Sequence, residues 1–168
     1  MDFLDLAHSR FSVLHYTDRE IPGDILEKIL QAGLAAPTAC NFQPQRILVI
    51  RSEVQKQALQ EVTRSNLHFD KALLVCYDRE ACWQRPFDGK RSGEIDASIV
   101  TTHMMLEATD LGVGSIWVMH WDPRRMAEAF DLAANLEPVA LLILGYARED
   151  AAPRPTHFAT KSLADILL

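Results

Sequence analysis

Two short stretches of this chain carry more hydrogen-bonding side chains than their surroundings need. In "SRFSVLHYTD" Arg10 and Ser12 come just before an extended turn. In "APTACNFQPQR" Pro37, Thr38, Asn41, Gln43 and Pro44 follow a hydrophobic helical pattern. A guanidinium is a planar fork of donors that suits a dianion, and each charge-assisted bond contributes roughly 1.5–3 kcal/mol. Prolines fix a loop, while hydroxyl and amide groups offer both donors and acceptors. The plain alternative for Arg10 is a solvated surface arginine. A third stretch, "LGVGSIWVMHW" (111–121), gathers Trp117, Met119, His120 and Trp121 at the end of a strand-like run. It reads plainly as a helix cap and a core strand. In open α/β architectures, however, ligands collect at the C-terminal ends of strands, where free backbone N–H groups could bind an acceptor atom of a planar ring.

Other chemistries find no support. "DGKRSG" (88–93) has a Gly-Lys pair, but the phosphate-loop pattern needs a glycine where Gln84 stands, and no strand leads into it. A surface loop accounts for it better. The six histidines (His8, His15, His68, His103, His120 and His157) form no HExxH or other tight ligand pair, so no metal site is expected. There is no GxSxG elbow and no Cys–His pair at local spacing. No catalytic side chain is nominated. Cys40, Cys76 and Cys82 form no CxxC pair and read as buried, reduced thiols.

The elements that must position these residues follow from periodicity. Met1 to Ser9 suits a helix. Asp24 with Glu27 resembles a capping box for a helix carrying Ile25, Leu26, Ile29, Leu30 and Leu34, which Pro37 ends. Strands are expected at 46–51, 71–77, 115–119 and 139–147, and a helix from Ser52 to about Val62. A long helix over 95–112 is apolar or small nearly all round, as in a helix covered on several sides, by the chain's own core and by a subunit interface. Asp122 and Pro123 open a short helix, and Ser162 with Asp165 a terminal turn. Residues 78–94 are a variable, polar, turn-rich loop and 148–168 a proline-studded C-terminal arm of a single domain spanning 1–168. Helices alternating with about four strands give a mixed α/β sandwich.

With 168 residues the chain fits one domain with a proper core. Its 23 acids against 17 bases give a formal charge of −6, which argues against general nucleic-acid binding. The start shows no apolar signal segment and the longest apolar run, 139–144, is too short for a bilayer, so a cytoplasmic protein with no membrane partner is expected.

Four segments taken in order, "SRFSVLHYTDREIP", "AGLAAPTACNFQPQRILVI", "EIDASIVTTHMMLEATDLGVGSIWV" and "EPVALLILGYARED", resemble the FMN-dependent nitroreductase family over nearly the whole length. The family's opening motif is roughly R-R-S-x-R and its second A-P-S-x-x-N-x-Q-P-W. The resemblance implies an α+β sandwich with a mostly antiparallel central sheet flanked by helices, assembled as a homodimer. It implies that Arg10 and Ser12 hold the ribityl and phosphate portion of FMN. Phe11 and Leu14 stand there in place of basic residues, and Lys161 in the arm is the compensating base. It further implies that Pro37, Thr38, Ala39, Asn41 and Gln43 reach the flavin bound mainly to the other subunit. Gln45 replaces the family tryptophan, and Val118, Met119 and His120 align with the segment whose backbone approaches flavin N5.

The activity so implied is an FMN oxidoreductase. NAD(P)H, a transient co-substrate, delivers hydride to the flavin and leaves, and a nitroaromatic or quinone then takes the electrons. Alternatives are another reaction on the same fold, such as dehalogenation or flavin fragmentation, and a flavin carrier or redox sensor without turnover. The last is motivated by Phe11 and Leu14.

Overall fold

The computed structural model describes residues 2–64 and 68–168. Helix α1 (Phe3–Ser9) is capped by Asp2, whose carboxylate accepts from Asp5 N–H. The expected helix from Met1 thus starts at Phe3, and Met1 itself lies outside the described residues. Helix α2 (Gly23–Leu34) corrects an expectation: Pro22 occupies the cap position and no side chain caps it, so Asp24 sits in the first turn. A tight turn at Ala39–Asn41 leads into β1 (Gln45–Ile50). Helix α3 (Glu53–Thr63) begins with the reciprocal Ser52–Gln55 capping box that its sequence predicts.

Strand β2 (Lys71–Asp78) is followed by a loop ending at Ser92, so the long helix α4 (Gly93–Asp110) starts two residues before its expected position. Gly93 is required there: a Cβ would lie 1.9 Å from the Tyr77 ring. Strand β3 (Gly114–Val118) and helix α5 (Pro123–Ala129), capped by Asp122, come next. Strand β4 (Leu136–Gly145) runs through Pro138, which the sequence reading placed before the strand. The register shifts between Val75 and Cys76, opposite Pro138, and such a bulge tolerates a residue with no N–H. The arm carries two short turns, Pro155–Phe158 and Leu163–Asp165.

The strands pair antiparallel in the order β1-β2-β4-β3. One face, with Leu73, Val75, Leu142 and Leu144, packs on Ile29 of α2 and Val100 and Met104 of α4. The other, with Leu74, Leu141 and Ile143, packs on Leu59 of α3 and Met126 of α5. Central strands β2 and β4 are buried on both faces, hence their unbroken apolar runs. β1 and β3 are the edges. The outer side of α4 (Ile99, Thr102, Leu106, Thr109) stays half-buried, and Ile95 is 54% exposed. No described helix is long and apolar enough to cross a membrane.

Candidate functional site

Residues 12–17 run beside the free edge of the sheet. Ser12 bridges Ser115 in parallel, Val13 N–H donates to Ser115 O at 2.9 Å, and Thr17 N–H donates to Tyr146 O at 2.8 Å. Two facing glycines make this approach possible. A Cβ at Gly114 would meet Val13 at 2.9 Å, and one at Gly145 would meet Tyr16 at 2.7 Å. Val13 and Tyr16 are thereby buried, while Arg10, Phe11, Ser12 and Leu14 point into a cleft of about 390 Å³. Ile116 and the arm residues Arg154, Thr156 and His157 complete it.

This composition decides what the cleft can hold. None of the ion pairs among the described residues uses Arg10 or Arg154. Two unpaired guanidiniums, two hydroxyls and an imidazole converge with no carboxylate among the lining residues. In a chain of net charge −6 such a donor set suits a phosphate monoester. Lys161 is exposed and is not among the lining residues; Arg154 and His157 are the arm's contribution instead. Sequence reasoning missed both, although Arg154 stands between Pro153 and Pro155, which stiffen the segment that carries it.

The segment after β3 is built from its backbone. Trp121 N–H donates to Met119 O at 3.0 Å and Trp121 Nε1 to Val118 O at 2.9 Å. Those bonds use carbonyls, and among the described residues no backbone acceptor takes the Met119 or His120 N–H. Strand alternation gives a third such group: Ser115 turns its backbone outward to Val13, so Trp117 does likewise, on a side where no strand follows. The sheet being wholly antiparallel, the strand-end rule for parallel sheets does not apply, and the open edge of β3 supplies the donors instead. Beside it an apolar groove of about 480 Å³ is lined by Ile95, Ile99, His103, Trp117, Met119 and Val139, among others. His103 Nδ1 lies 3.0 Å from Ile99 O, leaving Nε2 as its other polar atom. His120 is exposed in a separate polar cleft with Arg64, Trp121 and Arg125.

The third set, Pro37, Thr38, Ala39, Asn41 and Gln43, forms a wired, strained loop. Cys40, Asn41 and Gln43 have φ of 50°, 56° and 49°, the left-handed region that side chains disfavour. Thr38 Oγ1 accepts from Gln43 N–H at 3.1 Å, and Gln43 Nε2 donates to Asn41 Oδ1 at 2.9 Å. Asn41 Nδ2 and Gln43 Oε1 then remain as an exposed donor and acceptor for a heterocycle. Cys40 is exposed, contrary to the expectation for all three thiols; Cys76 and Cys82 are buried. Burial pushes the Cys76 thiol up to about 12, so it stays protonated. This loop leads into β1 at one sheet edge, whereas the Arg10 cleft abuts β3 at the other. Three strand spacings are roughly 14 Å. The cleft on Arg10 contains none of the loop's residues.

The comparisons with known proteins agree with one another. The model of the nitroreductase family matches residues 7–89 and 71–146. The chain is 30% identical to a Thermus thermophilus protein named NADH dehydrogenase, over 91% of this chain and 90% of the relative. Among solved structures, a nitroreductase family protein from Clostridium difficile superposes with a TM-score of 0.92 at 40% identity, covering 100% and 98% of the two chains. A Desulfovibrio desulfuricans protein assigned as a nitroreductase, solved in complex with FMN, gives a TM-score of 0.83 at 28% identity, covering 98% and 94%.

Proposed function

This chain belongs to the nitroreductase family, and from that premise we propose that it is an FMN-dependent oxidoreductase acting between NAD(P)H and a small electron acceptor. The observation that carries the reading is the Arg10 cleft, where two arginines outside every ion pair of the described residues meet two hydroxyls beside the open edge of β3. Relatives named for NADH oxidation and a neighbour holding FMN support it.

In this reading Arg10, Ser12, Arg154, Thr156 and His157 bind the phosphate. The charge-assisted bonds of two guanidiniums contribute roughly 1.5–3 kcal/mol each. Phe11, Leu14 and Ile116 pack along the ribityl chain rather than add charge. Met119 and His120, with the outward N–H of Trp117, present backbone donors to the ring, whereas Val118, expected to share in this, turns its backbone to β4. The apolar groove from Ile95 to Val139 excludes water from one side of it. FMN supplies the transfer of reducing equivalents from NAD(P)H to an acceptor such as a nitroaromatic or quinone, which accounts for the absence of a nominated catalytic side chain. Pro37, Thr38, Ala39, Asn41 and Gln43 act on the flavin of a second copy, since their loop and the cleft occupy opposite sheet edges. The site is complete only in a homodimer.

Phe11 and Leu14 alone would favour a weakly held flavin and a carrier without turnover. Arg154 and His157 restore the missing polar groups, and this favours the enzyme. Purified protein should be yellow, and anaerobic NADH or NADPH should bleach it. A protein that takes up FMN but is not bleached by either donor would sink the enzymatic reading.

A further inference from the structure

One buried acidic side chain has no part in the function just proposed. Asp96, in the first turn of α4, is 2% exposed. Its Oδ1 accepts from Ala39 N–H at 2.9 Å and its Oδ2 from Ser92 Oγ at 2.7 Å. Ser92 N–H in turn donates to Trp83 O at 2.9 Å. A single carboxyl group thus ties the 38–43 loop and the 79–92 loop to the start of one helix. Burying such a group is unfavourable unless it is well bonded, and the N-terminus of an 18-residue helix favours negative charge there.

What Asp96 holds is the entry to the strained turn. The exit of the 38–43 loop is fixed by the sheet, where Asp78 N–H donates to Pro44 O at 2.9 Å. Within the loop the bonds are local: Asn41 N–H to Thr38 O, Phe42 N–H to Ala39 O, and Gln43 N–H to Thr38 Oγ1. Local bonds travel with the segment and cannot aim it. The Ala39–Asp96 bond reaches across 57 residues to the body of the protein. Left-handed conformations at three residues that are not glycine persist only where surrounding structure over-determines them.

We propose that Asp96 is a positioning residue for flavin binding. It fixes Ala39 N–H, and through it the left-handed backbone of Cys40, Asn41 and Gln43, so that the Asn41 and Gln43 amides meet the ring already set. The proposal rests on the FMN assignment above, and it assigns Asp96 no contact with the cofactor.

The test combines hydrogen exchange on cofactor-free protein with FMN titration of the full chain. Asp96→Ala should speed exchange at the amides of Asn41, Phe42 and Gln43 and weaken FMN by about tenfold, the scale of one anchoring charge-assisted bond. Asp96→Asn should restore most of both, because its Oδ1 can accept from Ala39 and its Nδ2 can donate to the Ser92 hydroxyl. If Asp96→Ala does not fold, Ala39→Pro withdraws the single donor and leaves the carboxyl in place, and the same two changes are expected. Variants that melt earlier yet match wild type in both readouts would reduce Asp96 to a structural role and overturn the proposal. Wild type that takes up no FMN overturns the flavin assignment, whereas the exchange measurement made without cofactor still decides whether Asp96 sets the loop.

Discussion

The Arg10 cleft and the 38–43 loop lie at opposite edges of one sheet and are built by opposite means. The cleft is assembled from two segments about 140 residues apart in sequence, and none of the ion pairs among the described residues uses its two arginines. Its backbone is unstrained, with no positive φ from Arg10 to Leu14 or from Arg154 to His157. The loop is one contiguous stretch with its side chains bonded to each other and three left-handed residues. Each of those costs about 1–2 kcal/mol, least for Asn41. An anion is held by converging charge, which tolerates loose side chains. The edge of a heterocycle needs donors and acceptors at set angles, and only a backbone fixed in advance provides them.

Four experiments break or sharpen this contrast. Arg10→Ala should act most strongly, weakening FMN by about 100-fold and yielding nearly colourless protein. A fully loaded variant would remove Arg10 from the site. Gly93→Ala, at the root of the loop side, should destabilise the fold by about 1–3 kcal/mol, because a Cβ there would overlap the Tyr77 ring and force it to move. The ring's hydroxyl is held by Glu137, and burial, aided by that carboxylate, pushes the Tyr77 pKa up, so the contact persists at high pH. An unchanged melting temperature would show that α4 can shift its start.

Arg154→Ala should weaken FMN by about tenfold and flatten the salt dependence of its Kd. Loop variants such as Thr38→Val should leave that slope alone. Equal slopes in both would erase the distinction between the regions. Lys161→Ala should change Kd by less than about twofold, as expected of an exposed charge away from the cleft. A larger loss would return the arm's role to the residue the sequence nominated.

Much of this was legible in the chain. The unbroken apolar runs of β2 and β4, the Ser52–Gln55 box and the Asp122–Pro123 start all follow from local chemistry that needs no partner. Arg10 and Ser12 were readable as a donor pair, and the proline-bracketed loop as a fixed one. The start of β4 was not, because Pro138 reads as a breaker until the bulge beside it, where Val139 is left without a partner on β2, excuses it. Nor was the cap of α2, where the Asp24–Glu27 pattern is present but the chain enters the helix two residues earlier through Pro22.

By itself, then, the sequence determined the elements and the kinds of groups at the site, because periodicity, caps and side-chain donors are properties of neighbours along the chain. Only the tertiary structure decided that Arg154 and His157, not Lys161, face Arg10. It alone showed that Asp96 reaches Ala39, and that the two motifs occupy opposite edges of the sheet. Those are distances between residues far apart in sequence, fixed by strand order and by which faces pack, and no local pattern encodes them.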